Sequence, residues 1–369
     1  MFSHMLAKSA TAVLGGIIVC LSVPAQAQFS GAPACRYVYT KQPFFQPSIQ
    51  VRYDGKIEIK VSQAKTRVAR FLNSLTRLLH GPLKVDRIEV FTERLMSDPR
   101  TDVPFWIKLS EAFGQKVSFD PAMLTQIPTT GPLIIVSNHP MNGVEGIALA
   151  ATISRVRPDV KVVLTNLLTV IPEMAQNAIF ANPYGGEAAR EQNKVTRAEM
   201  AQHLADGKAL VIFPAGAVSL KEKLSDSMAV DEPWRRGVAD MVTERPETRI
   251  LPIFVEGQPS QTFQVVKKIE SSLPARMNIL KIALAGIFHI REIGSRVDKA
   301  VSVVIGHPLY GHDLLRLGEA SEIMDSLRTQ TYELRDRHHL QEEFSGADQL
   351  ELESFQRQII EGTDRLLFP

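Results

Sequence analysis

From Met96 onward, the chain alternates between short apolar runs and longer stretches in which apolar residues recur at helical spacing. The runs predict strands at Leu133–Val136, Val160–Leu164, Ala209–Phe213, Ile250–Val255 and Val301–Ile305. The stretches between them predict helices, for example at Gly146–Arg155, Ala188–Ala205 and Trp234–Thr243. Strands that are apolar throughout and alternate with helices are typical of a largely parallel sheet covered on both faces. We therefore predict an α/β fold.

The pattern differs on either side of this region. In residues 28–95, the alternation in VRYDGKIEIKV favours one or two strands, and Val61–His80 predicts an amphipathic helix. Arg70 and Arg77 lie opposite the apolar arc of that helix. The helix either packs on its own domain with a solvated basic face or lies in an anionic membrane interface. Residues 312–369 are charged and predicted to form a helical C-terminal tail.

The N-terminus has the features of a targeting segment. Lys8 precedes an apolar stretch that is shorter than the roughly 20 residues a spanning helix needs. The small-x-small sequence Ala25-Gln26-Ala27 follows, so residues 1–27 are predicted to be a signal peptide or a membrane anchor. More basic residues follow the apolar stretch than the single Lys8 that precedes it. This distribution permits an inward orientation of the following domain. We expect association with the bacterial inner membrane, with export to the periplasm as the alternative.

Composition excludes several classes of protein. A hydrophobic fraction of 44% and a charged fraction of 22% are ordinary for a globular protein. The net charge of +2 argues against a nucleic-acid partner. Only Cys20 and Cys35 are present, which excludes a disulfide framework, and there is no zinc-type spacing of cysteine and histidine.

The segment Ile134–Leu149, IIVSNHPMNGVEGIAL, contains the first candidate chemistry. The predicted strand Leu133–Val136 leads into Asn138-His139-Pro140, and Glu145 follows in a segment that can start a helix. A histidine delivered into a turn, with an acid at the next helix start, is how a base and its orienting partner are assembled. His139 and Glu145 are therefore candidate catalytic residues, although such a pair also arises by chance. Asn142 and Gly143, in the turn between them, are candidate substrate-binding residues.

A second turn follows the predicted strand Ala209–Phe213 and reads PAGAVS. Gly216 lets the backbone approach a ligand closely, and such a turn can present N–H groups to an anion. Read alone, the segment also fits an ordinary turn followed by surface lysines. Its candidate substrate-binding residues are Pro214, Gly216, Ser219 and Lys221.

Two further segments contribute candidate cations. In DEPWRRG, residues 231–237, Trp234 and the arginines either line an entrance for a lipid phosphate or form a capped helix start with a buried tryptophan. The segment NPYGGEAAR, residues 182–190, opens a helix on which Arg190 and Lys194 lie one turn apart. Arg190 and Arg235 are the candidate substrate-binding residues of these segments.

The order NHP…GVEG, NPYGGEAAR, FPAGAVS, DEPWRRGVA, LPIFVEG resembles the glycerolipid (PlsC-like) acyltransferase superfamily, and most of all its hemolysin-like branch. The resemblance covers roughly Phe105–Pro308. It implies a single PlsC-like acyltransferase domain, assigned here to residues 96–311, with a largely parallel sheet flanked by helices. It also implies transfer of a fatty acyl group from acyl-CoA or acyl carrier protein to a lysophospholipid hydroxyl at a membrane surface, without a metal or cofactor. His139 would be the general base, and Glu145 would orient it.

The chain departs from the superfamily pattern at two places. The usual aspartate five positions after the histidine is Val144 here, and the branch's aspartate one position later is Glu145. The usual Phe-Pro-Glu-Gly-Thr-Arg has Ala215 and Ala217-Val218 instead, so Lys221, Arg190 or Arg235 would have to bind a phosphate. These departures leave open a lipid-binding protein without turnover. A separate alternative is a lipid hydrolase or transacylase on the same scaffold, with His139 activating water or another acceptor. Export would favour a phospholipid as the acyl donor.

Overall fold

The computed structural model describes residues 48–51, 57–60, 81–165, 173–182, 186–274 and 288–339. The predicted signal or anchor segment, residues 1–27, lies outside these ranges. So do the amphipathic helix predicted at residues 61–80 and the tail beyond residue 339. Strands β1 (Ser48–Val51) and β2 (Ile57–Lys60) pair antiparallel, in agreement with the alternating sequence in this part of the chain.

The other strands of the described ranges form one mixed sheet in the order β3-β9-β8-β4-β7-β5-β6, with β10 pairing β8 beyond the end of β9. Strands β4 to β8 are parallel to one another, whereas β9 and β10 run antiparallel to β8. The predicted α/β class and the largely parallel sheet are therefore confirmed. The bounds are β3 Lys116–Ser118, β4 Leu133–Ser137, β5 Lys161–Thr165, β6 Ala178–Ala181, β7 Ala209–Ile212, β8 Arg249–Val255, β9 Ala300–Ile305 and β10 Leu309–Tyr310.

Helices flank this sheet. Their bounds are α1 Val85–Met96, α2 Phe105–Ala112, α3 Val144–Ile153, α4 Met174–Asn177, α5 Gly186–Ala205, α6 Gly237–Glu244, α7 Gln261–Ser272, α8 residues 288–296, α9 Gly311–Leu314 and α10 residues 320–339. Helices α3 and α5 were predicted nearly at these bounds, but α6 begins three residues after the predicted Trp234, which lies in the preceding loop. Along the described ranges, every helix is too short or too polar to cross a membrane.

The two faces of the sheet are both buried. On β4, Leu133 and Ile135 pack in one apolar cluster with residues of α2 and α3, while Ile134 and Val136 pack in a second with residues of α6 and α10. All four side chains are inaccessible to solvent. Burial of each such side chain contributes roughly 1.5–3 kcal/mol, which is why the strands are apolar throughout rather than alternating.

Helix α10 contributes to the second cluster. Ile323, Met324 and Leu327 are buried there against residues of the sheet and of α6. Part of the charged C-terminal region therefore packs on the sheet, although the domain boundary at residue 311 stays a prediction.

The amino ends of the parallel strands are joined by one buried side chain, Arg157. Its guanidinium binds both carboxylate oxygens of Asp159, each at 2.8 Å. It also donates to the carbonyl oxygens of Pro128, Gly131 and Gly207. These residues precede β4, β5 and β7, so Arg157 joins three strand entries at the same end of the sheet.

We expect Arg157→Met to lower the free energy of unfolding by about 3 kcal/mol or more, because it leaves a carboxylate and three carbonyl groups without their donor. Chemical denaturation measures this loss. Lys208→Met is the matched control, since Lys208 forms an ion pair with Asp206 at the exposed surface and should change stability by less than about 1 kcal/mol. Equal losses in the two variants would contradict the assignment.

Candidate active site

The candidate site lies where β4, β7 and β8 end side by side, at the edge of the sheet opposite Arg157. The carboxyl ends of parallel strands are the usual place for a ligand. Asn138 extends the pairing of β4 and β8 past the end of β4. Its amide nitrogen donates to the carbonyl oxygen of Val255 at 2.9 Å, and its amide oxygen accepts from the N–H of Val255 at 2.8 Å. The next residue, His139, therefore leaves the sheet in a fixed direction.

His139 and Glu145 are hydrogen-bonded, Nδ1 to Oε1. Glu145 lies in the first turn of α3 and is completely buried, whereas 17% of the His139 side chain is exposed. The same Oε1 also accepts from the N–H of Met141 at 3.2 Å. Because Nδ1 faces a carboxylate, it holds the ring proton, and Nε2 is left as the basic nitrogen. The predicted pairing of these two residues is thus present, while their catalytic role stays a prediction.

The surroundings of His139 favour its protonated form. Burial lowers the pKa of its imidazole, but the charge and the hydrogen bond of Glu145, with a contribution from Asp231, outweigh burial and raise the pKa above its ordinary value. The ring of Phe213 stacks on the imidazole with centroids 4.6 Å apart and planes inclined by 23°. Phe213 therefore restricts the orientation of the ring that Glu145 holds.

The turn between His139 and Glu145 has an uncommon backbone. Asn142 and Gly143 have φ values of 62° and 94°, so two successive residues are left-handed before α3 begins. Asn142 is held by His289 of α8: its amide nitrogen donates to the carbonyl oxygen of His289 at 3.3 Å, and its amide oxygen meets Nδ1 of the imidazole. Both polar groups of Asn142 thus support the turn, and its role in binding substrate stays a prediction.

His289 is itself a neutral imidazole. Burial lowers its pKa to about 4, and the charges of Lys267 and protonated His139 act in the same direction. Its Nδ1 is therefore a hydrogen-bond donor to Asn142. Phe263 of α7 contacts the His289 ring edge-on, with centroids 5.1 Å apart.

The turn after β7 lies directly beside the His139 turn. Pro214 is buried, whereas Gly216 is exposed with a φ of 64°, and its N–H donates to the carbonyl oxygen of Phe213 at 3.0 Å. The buried Ser219 donates its N–H to the carbonyl oxygen of His139 at 2.9 Å. The two motifs that the sequence predicted to form a site are therefore in direct contact.

Asp231 joins these two turns to a third segment. Its Oδ1 accepts from the N–H of His139 at 3.1 Å and from the hydroxyl of Ser219 at 2.5 Å. Its Oδ2 accepts from the indole N–H of Trp234 at 2.8 Å. Trp234 is buried, as one of the two interpretations of DEPWRRG required.

The candidate cations differ in position. The Arg235 N–H donates to the carbonyl oxygen of Pro214 at 3.0 Å, and its guanidinium lies against Gly216, where an added Cβ would come within 2.9 Å of Cζ. Lys221 follows the same turn, and its N–H donates to the buried Gln264 at 3.1 Å. Arg190 is exposed on α5, and no contact within the described ranges joins its side chain to the His139 turn. The structure thus brings Arg235, but not Arg190, against the turn.

Several residues of the site were not identified by the sequence analysis. His289 lies 147 residues from its partner Asn142, and no local pattern indicates that contact. Asp231 is part of the motif DEPWRRG, and its position three residues before Trp234 could have indicated the hydrogen bond between these two side chains. Phe213 was read only as the end of a strand. As to metals, the described ranges hold no group of three or more His, Cys, Asp or Glu residues suited to bind an ion.

A histidine bound to a buried carboxylate, at the carboxyl ends of the strands of an α/β sheet, is an arrangement suited to general acid–base chemistry. The chain belongs to the acyltransferase family, whose model matches residues 105–340. This match includes every candidate site residue, and it confirms the superfamily that the order of motifs predicted. The protein is an acyltransferase.

Two curated relatives have the same name. The lyso-glycine lipid O-acyltransferase of Phocaeicola vulgatus is 25% identical over 257 residues, which cover 69% of this chain and 84% of that protein. The lyso-glycine lipid O-acyltransferase of Bacteroides thetaiotaomicron is 24% identical over 258 residues, which cover 69% of this chain and 87% of that protein.

We predict that His139 titrates above the ordinary histidine pKa of about 6.5 and that Glu145→Gln lowers this pKa, because burial remains when the main raising charge is removed. NMR titration of the imidazole C–H signals measures both values. His203, which is buried and bound to the carbonyl oxygen of Ala209, is the internal control and should not change. Identical His139 titrations in the two proteins would contradict the prediction.

The same shift has a consequence for stability. Because the folded-state pKa is raised, the pair contributes stability that is fully present below the unfolded pKa of about 6.5 and is lost as the pH rises through the folded value. Wild type should therefore lose part of its advantage in unfolding free energy over Glu145→Gln as the pH rises through that range.

Proposed function

We propose that this enzyme transfers a fatty acyl group from a thioester to the hydroxyl of a lysolipid that has an anionic headgroup. The main support is one arrangement: an accessible imidazole, bound through Nδ1 to a buried carboxylate, beside a turn against which the Arg235 guanidinium lies.

His139 acts as the general base. Its Nε2 takes the proton from the acceptor hydroxyl as that oxygen attacks the thioester carbonyl carbon. The tetrahedral intermediate then collapses, the carbon–sulfur bond breaks, and the imidazolium returns its proton to the leaving thiolate. Glu145 keeps the proton on Nδ1 and stabilises the imidazolium, as the acid of a triad does. General-base catalysis of this kind contributes roughly 10²–10⁴ in rate.

The turn after β7 supplies donors for the oxyanion. The N–H of Gly216 is used within the turn, but those of Ala217 and Val218 have no acceptor among the residues that the structure describes. They lie between Gly216 and Ser219, whose N–H contacts the His139 carbonyl oxygen. We assign the developing negative charge of the intermediate to these amides, which would be stronger donors in a site from which water is excluded.

Arg235 binds the headgroup. The superfamily's usual arginine in the turn after β7 is replaced here by Val218, and the guanidinium of Arg235 lies against the same turn. Within the described part of the chain, this guanidinium has no acidic partner. A single guanidinium presents a planar pair of donors that matches a carboxylate or a phosphate. A carboxylate headgroup is compatible with the name of the two relatives, which refers to a glycine lipid.

Other parts of the proposal rest on the sequence. The donor is acyl-CoA or acyl carrier protein, and a lysophospholipid is the alternative acceptor. Association with the inner membrane follows from the signal or anchor predicted at residues 1–27, which lie outside the described ranges.

The test is acyl transfer from radiolabelled acyl-CoA or acyl carrier protein, with wild type or His139→Ala in membranes. The acceptors are lyso-glycine lipid, lysophosphatidic acid and the zwitterionic lysophosphatidylcholine. Wild type should give product with an anionic acceptor, and His139→Ala should lose at least about 10²-fold in rate. Thioester consumption that needs no acceptor would indicate a hydrolase instead.

We predict that Arg235→Gln raises the KM for the anionic acceptor about 10- to 100-fold and leaves kcat within about threefold, because a charge-assisted hydrogen bond contributes about 1.5–3 kcal/mol. Steady-state kinetics with the best acceptor measures both constants. Arg236→Gln is the matched control, since the Arg236 guanidinium is paired with Asp240 at 2.9 Å and should not contact the acceptor. A similar rise in KM for both variants would contradict this role of Arg235.

A further inference from the structure

We propose that Asp231 is a positioning residue for the acyl transfer: it holds the backbone of His139 in place, and its charge supports the imidazolium that forms during the reaction. This inference rests on the proposed role of His139 as the base. Asp231 does not contact the reacting atoms in this scheme and acts through His139.

The Asp231 carboxylate is buried, with 3% of the residue exposed, and neutral groups supply the donors that the structure describes for it. Oδ1 binds the His139 N–H and the Ser219 hydroxyl, and Oδ2 binds the Trp234 indole N–H. Three donors satisfy the carboxylate without removing its charge by ion pairing. That charge therefore remains next to the base.

Asp231 and Ser219 together hold both polar groups of the His139 backbone. The N–H of His139 binds Oδ1 of Asp231, the carbonyl oxygen of His139 binds the N–H of Ser219, and the Ser219 hydroxyl binds the same Oδ1. This closed set of contacts fixes the turn from which the imidazole projects. Loss of Asp231 would release the His139 N–H and the Ser219 hydroxyl at once.

Helix α10 holds Asp231 from the other side. The N–H of Asp231 donates to the phenol oxygen of Tyr332, and its carbonyl oxygen accepts from Arg328, both at 2.8 Å. The Tyr332 ring contacts Phe254 of β8 edge-on, with centroids 5.5 Å apart. The position of His139 therefore depends on a helix that begins 89 residues after Asp231, at residue 320.

The charged and titratable groups around His139 and Asp231 determine how the pKa of His139 should respond to removal of the Asp231 charge. Glu145 and Asp231 are the acidic groups that raise the pKa of His139. His289 is neutral, because its pKa is about 4, and Tyr332 is a neutral phenol, because burial raises its pKa to about 12. Arg328 directs its guanidinium to the carbonyl oxygen of Asp231 and to the Tyr332 ring. Removal of the Asp231 charge should thus lower the pKa of His139.

The experiment compares Asp231→Asn with Trp234→Phe. Asn keeps the size of the side chain and an acceptor for the His139 N–H, but it has no charge. Trp234→Phe removes the indole N–H that donates to Oδ2 of Asp231 and leaves the charge of the Asp231 carboxylate. For Asp231→Asn we expect kcat about 10- to 100-fold lower, with KM within about twofold, and the acid limb of the kcat profile at lower pH. For Trp234→Phe we expect an unchanged acid limb. NMR titration of His139 should show the same contrast.

A wild-type pKa of His139 in Asp231→Asn, or equal losses in both variants without a pH shift, would overturn the proposal and leave Asp231 a folding residue. If Asp231→Asn does not fold, Tyr332→Phe decides. This variant removes the acceptor for the Asp231 N–H and the contact of the phenol with Ser219, and it leaves the Asp231 carboxylate in place. A kcat at least about threefold lower at constant KM supports the proposal, and an unchanged kcat overturns it. The titration needs no substrate, so it separates a failure here from a failure of the proposed function.

Discussion

The contact between His139 and Glu145 is the interaction on which the rest of the site depends. Glu145 is completely buried, and its Oε2 has no hydrogen-bond partner among the described residues. A buried carboxylate with an unpaired oxygen lowers stability, and this is the cost of placing an acid against the imidazole at the start of α3. The surrounding structure offsets that cost. Asn138 continues the pairing of β4 with β8, and His289 holds Asn142 in a left-handed turn that places the acid opposite the base.

The two ends of the sheet serve different purposes. At the amino ends of β4, β5 and β7, Arg157 forms an ion pair with Asp159 and binds three carbonyl groups, and we expect this network to stabilise the fold. At the carboxyl ends, the contacts of Glu145 and Asp231 with the residues that the structure describes include no arginine or lysine side chain. Neutral donors leave their charges free to act on His139. The carboxylate at the amino ends of the strands is therefore neutralised by an ion pair, whereas those at the carboxyl ends act on His139.

The features that could be predicted from the sequence are those that depend on a local pattern or on burial. Both faces of β4 are covered, so its residues are apolar throughout, and the strand was recognisable. His139 and Glu145 are six residues apart across one strand-to-helix turn, so their contact was also predictable. The contacts of Asn142 with His289 and of Asp231 with Tyr332 span 147 and 101 residues, and tertiary packing alone creates them. The antiparallel direction of β9 has no local signal either.

The charged composition of residues 312–369 led to their assignment as a tail, yet the apolar side chains of α10 pack on the sheet and its polar ones hold Asp231. The family match extends to residue 340, in keeping with that packing. A second consequence concerns the acceptor. The turn after β7 has Ala217 and Val218 at the positions of Thr-Arg in the usual superfamily motif, and the cation that lies against this turn is Arg235, from a separate segment. In our proposal, the general base His139 and the headgroup contact Arg235 are therefore held by different parts of the chain. On this basis we expect substitutions in the segment before α6 to change the recognised headgroup without moving His139, as long as Asp231 keeps its position.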